Sequence, residues 1–157
     1  MCIRVDSNLI CRAVHEYSDT ILRIAFHHTR SNADAEDIVQ ETFLSLMKCK
    51  QVLADERHLK AWLIRVAINK CKDLHKSARK KRTVALEIAV STKYYLDYND
   101  TEVLDQIQQL PPEERNIVYL FYFEGYSAKE IGVIIGKKED AIFTRLKRIR
   151  EKLRNLL

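Results

Sequence analysis

The sequence predicts an all-α protein made of two small helical domains joined by a linker, and three observations carry that expectation. Only 3 glycines and 2 prolines occur in 157 residues. The long segments are built from Leu, Ile, Ala, Lys, Arg and Glu, which lose least on entering a helix. Apolar residues recur at steps of three and four rather than two. With 46% apolar and 31% charged residues, the composition is that of a globular chain.

The first helix is expected from about Leu9 to about His28, where Ile10, Val14, Tyr17, Ile21 and Ala25 fall at helical spacing. Ser31 and Asn32 punctuate it, and a second helix follows from Ala33 to about Cys49. Ala35, Ile38, Val39, Thr42, Phe43, Leu46 and Met47 form the broad arc of that helix predicted to be buried. "VLADER" is a loop, and a third helix runs from roughly Arg57 to Arg79, with Leu59, Leu63, Val66, Ala67 and Leu74 on its apolar side.

Residues 83–100 lack a sustained period and end in turn-prone Asp97, Asn99 and Asp100, so they are expected to link a domain at 1–82 to one at 101–157. Val103, Leu104, Ile107 and Leu110 suggest a short helix that stops at Leu110, because the residue before a proline is pushed out of the α region. Pro112 then suits the first turn of the next helix, and Glu113 and Glu114 complement its dipole. Gly125 is expected as its left-handed cap. "SAKE" at 127–130 is a capping box opening a helix to about Ile135, and Gly136 turns the chain into a last helix whose Ile142, Leu146, Ile149, Leu153 and Leu156 point inward. Two helices joined by a glycine turn make a helix-turn-helix, whose second member usually enters the major groove.

The net charge of +5 is unevenly spread. Residues 57–82 carry ten Lys or Arg against Asp73, and residues 129–154 carry nine against four acids. Between them, residues 84–114 hold seven acids and Lys93, so two anion-facing blocks are separated by a segment that avoids anions. On the third helix His58, Arg65, Asn69, Lys72, Lys76 and Arg79 share an arc of about 80° at 100° per residue. A solvated face mixes signs and pairs them at i,i+4; this nearly all-cationic stripe calls for an external anion. Trp62 lies at its edge, either as a boundary tryptophan or as a surface on which an unpaired base stacks.

The second helix behaves differently. Opposite its apolar arc stand Asp34, Asp37, Glu41 and Lys48, with Gln40 beside them and Leu44 in their midst. Outward acids repel phosphates, so this face suits a basic protein surface with an apolar notch. On the last helix Asp140, Thr144, Lys147, Arg148 and Glu151 point outward, with Ala141 and Phe143 at the margins.

Other chemistries find little footing. Cys2, Cys11, Cys49 and Cys71 show no metal or disulfide spacing and are expected to be reduced and mostly buried, and the adjacent His27 and His28 diverge on a helix, so no metal or cofactor is expected. Arg4, Asp6 and Arg12 interrupt any signal-peptide core, and Ile117 to Phe123 is too short to span a bilayer, so the expected setting is the cytoplasm, without membrane insertion. The paired carboxylates lie on an outward face beside no nucleophile, base or phosphate loop, so no catalysis is expected.

Three stretches in order, "ADAEDIVQETFLSLMK", "LKAWLIRVAINKCKDLHKSARKK" and "LPPEERNIVYLFYFEGYSAKEIGVIIGKKEDAIFTRLKRIREKLRNLL", resemble the bacterial RNA polymerase sigma factors of the extracytoplasmic-function type. With residues 17–28 they cover most of the chain. The resemblance implies a protein that binds core RNA polymerase and directs promoter recognition, DNA melting and transcription initiation. It implies that the second helix docks on the clamp helices of the largest subunit, with Asp34, Asp37, Ile38, Val39, Gln40, Glu41 and Leu44 as contacts. The third helix and the loop before it then recognise and open the minus-ten element through His58, Lys60, Trp62, Arg65, Asn69, Lys72, Lys76 and Arg79. Lys137, Lys138, Ala141, Thr144, Lys147 and Arg148 meet the minus-thirty-five element, and the same domain docks on the polymerase flap. The family further implies an anti-sigma factor as partner, and a linker threading toward the active-centre and RNA-exit channels.

This chain departs from the family pattern at three places. Lys138 stands where a capping Ser or Thr is common, Glu139 and Asp140 would repel a phosphate at the helix start, and Phe143 replaces a common basic residue. Two other readings compete: a helix-turn-helix regulator that does not join polymerase, and a helical adaptor that binds only proteins. The acidic helix argues against the first and the cationic stripe against the second.

Overall fold

The computed structural model describes residues 4–81 and 101–156, which fall into two compact units on either side of the intervening segment. The linker expected over 83–100 lies outside the described residues. Every long element is helical, as composition predicts.

In the first unit, α1 (Ser7–Thr29) begins where the Asp6 side chain accepts from Leu9 N at 2.8 Å. It ends at Arg30, which sits in the left-handed region at φ 56° with its N–H bonded to Phe26 O. Ser31 immediately caps α2 (Asn32–Met47) by accepting from Asp34 N, so the two helices are joined by a two-residue turn, Arg30 and Ser31. α3 (Glu56–Lys81) starts at Asp55, whose carboxylate accepts from His58 N at 2.8 Å. The three helices pack on one another around Ile21, Ile24, Leu46, Leu63 and Ile64, none of which keeps more than trace exposure, and Leu53 anchors the α2–α3 loop in the same core. Thr42, fully buried, donates its hydroxyl to Ile38 O and so leaves no orphan in the core.

The buried seams differ from the expected ones at particular residues. Leu9 and Ala13 take the inner face of α1, leaving Val14 41% exposed, because apolar residues at 9, 10, 13 and 14 offer two overlapping seams that spacing cannot separate. Met47 is exposed at the very end of α2, and Leu74 stays 37% exposed at the edge of the groove between α3 and α2. Ile64, Ile68 and Cys71 take the inward places on α3. Among the described cysteines, which are free thiols, only Cys71 is buried, and burial pushes its thiol up to about 12; Cys11 is exposed.

A polar tie joins α1 to the start of α3. Glu56 pairs with Arg12 and accepts from the Tyr17 hydroxyl at 3.0 Å. Burial first, then the bond and charge of Glu56, push the Tyr17 phenol from 10.0 up to about 12.

In the second unit, α4 (Thr101–Gln108) is closed by Arg115, whose buried guanidinium donates to the carbonyls of Gln108 at 3.1 Å and Leu110 at 2.8 Å. α5 (Pro112–Val118) opens at the proline and widens into a π-helical turn, Tyr119–Phe123. The chain then leaves through Gly125 at φ 73°, with Tyr126 N bonded back to Leu120 O. Glu113 and Glu114 do more than face the dipole: they reach Arg145 at 2.9 Å and Lys152 at 3.0 Å on the last helix. α6 (Ala128–Ile135) carries the complete Ser127–Glu130 capping box, and α7 (Glu139–Leu156) buries Ile142, Leu146 and Ile149; the side chains of Val103, Leu104 and Leu156 lie outside the described residues.

Arg30→Gly should raise unfolding stability by about 0.5–1 kcal/mol in denaturant melts, because a left-handed side chain costs ~1–2 kcal/mol and glycine loses only part of that as chain entropy. Since the folded state holds the Tyr17 proton beyond the unfolded value of 10.0, the stability it contributes is complete below pH 10.0 and is lost as pH climbs to about 12. Tyr17→Phe should flatten that alkaline loss and remove one phenol that titrates at about pH 12 from a near-ultraviolet absorbance titration.

Candidate functional site

On α3 the inward seam leaves a ridge where Trp62, Arg65 and Asn69 follow one another at helical steps. Arg65, Asn69 and Lys76 are exposed, and Trp62 and Lys72 are half-buried. The Arg79 side chain lies outside the described residues. Two of the residues expected to meet the minus-ten element stand apart. Lys60 is half-buried on a different side of the helix, about 200° around from His58 at 100° per residue. His58 is exposed, but its Nδ1 accepts from Ala54 N at 2.9 Å, so the ring braces the loop that precedes the helix. Together with the Asp55 cap, that bond ties the loop's last residues to the first turn of α3.

On α2, Asp37, Glu41, Leu44 and Lys48 form an outward row at steps of four, three and four, with Leu44 51% exposed. Gln40 is exposed beside it, Asp34 and Val39 are half-buried, and Ile38 is buried. Sequence reasoning missed what lies next to this row. Asp34, Asp37, Ile38 and Glu41 of α2 meet Lys70, Asp73 and Leu74 of α3 around a shallow groove of about 310 Å³. Lys70 Nζ stands 3.9 Å from a Glu41 oxygen, a loose contact between a half-buried ammonium and an exposed carboxylate that leaves the groove mainly anionic. The acids and the apolar floor are contributed by both helices, so neither helix read alone could reveal the groove.

The helix-turn-helix is built on two glycines. Gly136 ends α6 at φ 73°, a conformation other side chains rarely adopt. Gly132, one turn earlier, lies so close to the turn that an added Cβ would stand 2.5 Å from Lys137 O, and Lys137 N bonds Gly132 O at 2.8 Å. The turn is thereby clamped to α6. Lys138 supplies the carbonyl for the first α7 bond, from Ile142 N, but has no side-chain oxygen to cap with. Lys137, Lys138, Thr144, Lys147 and Arg148 are exposed, Ala141 is half-buried, and the Thr144 hydroxyl is engaged by Asp140 O at 2.9 Å. Phe143, expected at the margin, is 54% exposed.

The described chain therefore presents a cationic ridge with a tryptophan, an anionic groove with apolar residues, and a helix-turn-helix with a basic outer face. Comparison with known proteins agrees with this combination. The Sigma-70 region 2 family model matches residues 13–81, and the Sigma-70, region 4 model matches residues 100–153. The chain belongs to the sigma-70 family, in its extracytoplasmic-function branch. It is 33% identical to the RNA polymerase sigma factor CarQ of Myxococcus xanthus, over 82% of this chain and 77% of that protein. It is 30% identical to the ECF RNA polymerase sigma factor SigL of Mycobacterium tuberculosis, over 87% of this chain and 82% of that one. Against the ECF RNA polymerase sigma factor BldN of Streptomyces coelicolor identity is 31% over 85% of this chain, which spans 54% of that protein. The fold matches the sigma factor RpoE solved with the anti-sigma factor NepR from Bartonella quintana, at a TM-score of 0.76 and 19% identity, covering 95% of this chain and 96% of that one. No helix among the described residues is long and apolar enough to cross a membrane.

Gly132→Ala should destabilise the second unit by about 1–3 kcal/mol, since the new methyl meets backbone rather than a yielding side chain. Thermal unfolding checks it, and binding of duplex DNA by the full chain should weaken alongside.

Proposed function

We propose that this protein is a promoter-specificity subunit that joins core RNA polymerase in the cytoplasm, directs it to promoters and helps melt the start region, with no enzymatic step of its own. The observation that carries the reading is the division of the first unit into an anionic groove between α2 and α3 and a cationic ridge on α3. A protein that met only DNA has no use for the first, and one that met only protein has no use for the second.

On this reading the α2 face, with Asp34, Asp37, Ile38, Val39, Gln40, Glu41 and Leu44, docks on the clamp helices of the largest subunit. Complementary charge steers the encounter, and Leu44 and the groove floor supply apolar contact. The α3 ridge works on the minus-ten element: Arg65, Lys72, Lys76 and Arg79 hold phosphates, and Trp62 offers a face to an unstacked base. His58 acts mainly by shaping the "VLADER" loop, where a flipped base is captured. Lys137, Lys138, Lys147 and Arg148 anchor α7 on the minus-thirty-five duplex, with Ala141 and Thr144 near base edges. The second unit also docks on the polymerase flap, and an anti-sigma factor regulates access to these surfaces, as the family implies.

The test is to mix the purified chain with core polymerase and a promoter library and look for specific initiation; failure to bind core polymerase would sink the proposal. Asp37→Lys should weaken core binding at least about tenfold while the circular-dichroism spectrum stays unchanged, because the residue is exposed. The pair Arg65→Glu and Lys72→Glu should spare core binding and reduce permanganate-reactive thymines in the start region. Unchanged footprints would count against the ridge.

A further inference from the structure

The first two turns of α7 combine residues that do not suit phosphate binding. Asp140, Phe143 and Thr144 stand at i, i+3 and i+4 and are all exposed, so they form one outward face. The carboxylate of Asp140 repels phosphates, the Thr144 hydroxyl donates to the Asp140 carbonyl, and the Phe143 ring is apolar and 54% exposed. Around this face lie Lys137 and Lys138 in the turn and Lys147 and Arg148 one turn on, all exposed. A cationic rim around an apolar centre complements duplex DNA: the cations take the backbone while the centre faces the base edges. Among those edges in the major groove, the apolar feature is the 5-methyl group of thymine.

We infer that Phe143 determines specificity in the minus-thirty-five element by packing its ring against one thymine methyl. The inference rests on the proposed role of α7 as the duplex reader and narrows it to a residue and a base. The nearest exposed guanidinium on this side of α7 is Arg148, so the outward face of the first two turns has no arginine with which to grip guanine bidentately. Reading there falls to the ring and to Asp140, whose carboxylate accepts from an exocyclic amino group of a neighbouring cytosine.

The experiment selects duplexes from a randomised minus-thirty-five library with holoenzyme formed from core polymerase and the full chain, either wild type or Phe143→Ala. Each thymine of the selected element is then replaced singly by deoxyuridine, which lacks only the methyl. The expected result is one position where deoxyuridine weakens wild-type binding roughly fourfold, the scale of one buried methyl. The same swap should leave Phe143→Ala unaffected, and that variant should lose its preference for thymine at that position. Equal sensitivity of both proteins at every position overturns the inference, as does a Phe143→Ala variant with an unchanged motif and weakened core binding, which assigns the ring to a protein partner. Selection of no duplex by the wild type overturns both this inference and the duplex-reading role on which it rests.

Discussion

The apolar seam of α3 is the constraint on which the rest of the first unit depends. Leu59, Leu63, Ile64, Ala67, Ile68 and Cys71 must face α1 and α2 to leave water, and once they do, every other direction on the helix is assigned. Arg65, Asn69 and Lys76 are thereby turned outward as one ridge, with Trp62 half-buried at its base. The same packing brings Lys70, Asp73 and Leu74 alongside the acids of α2. A single burial event therefore creates a cationic ridge and, beside it, an anionic groove. Opposite charges are kept apart by the geometry of one rod rather than by separate domains.

The second unit depends on a closer contact. Gly132 allows the turn after α6 to lie directly on the helix, and Gly136 reverses the chain at little conformational cost. The start of α7 is consequently placed by backbone on backbone, while Glu113 and Glu114 reach its later turns through Arg145 and Lys152. These ion pairs are partly exposed and individually weak, so orientation rests on the apolar seam of Ile142, Leu146 and Ile149, with the pairs as guides to register. The outer face is then free to vary in chemistry without disturbing the fold, which is how a large apolar ring, Phe143, can stand exposed there.

Much of this was legible in the chain, and the misses have physical causes. Helix starts were readable because capping needs particular atoms: Ser127 and Glu130 could bond each other's backbone in only one way. Inward faces were readable where one seam dominates, as on α7, and misread where two seams overlap, as with Val14 against Ala13. Met47 sits at the last position of its helix and Leu74 at the edge of the α2–α3 groove, and periodicity carries no information about how far a partner covers a seam. His58 shares the stripe's arc by position, yet its ring braces the loop by accepting the N–H of Ala54 at Nδ1. Arg115 could have been suspected from the bare carbonyls that a proline stop leaves behind, but its reach to Gln108 and Leu110 is a matter of tertiary geometry.

By itself the sequence determined the helical class, most caps and turns, the signs of the surfaces and, through three ordered stretches, the family. Those properties are local: they depend on propensity, spacing and residue chemistry within a few turns. Only the tertiary structure decided which acids and apolar residues meet in one groove, that Lys70 stands beside them, that Glu56 ties Arg12 and Tyr17 to the start of α3, and how far Phe143 projects. Each of these depends on which face of a helix meets which neighbour, and that is set by the simultaneous burial of several seams rather than by any one of them.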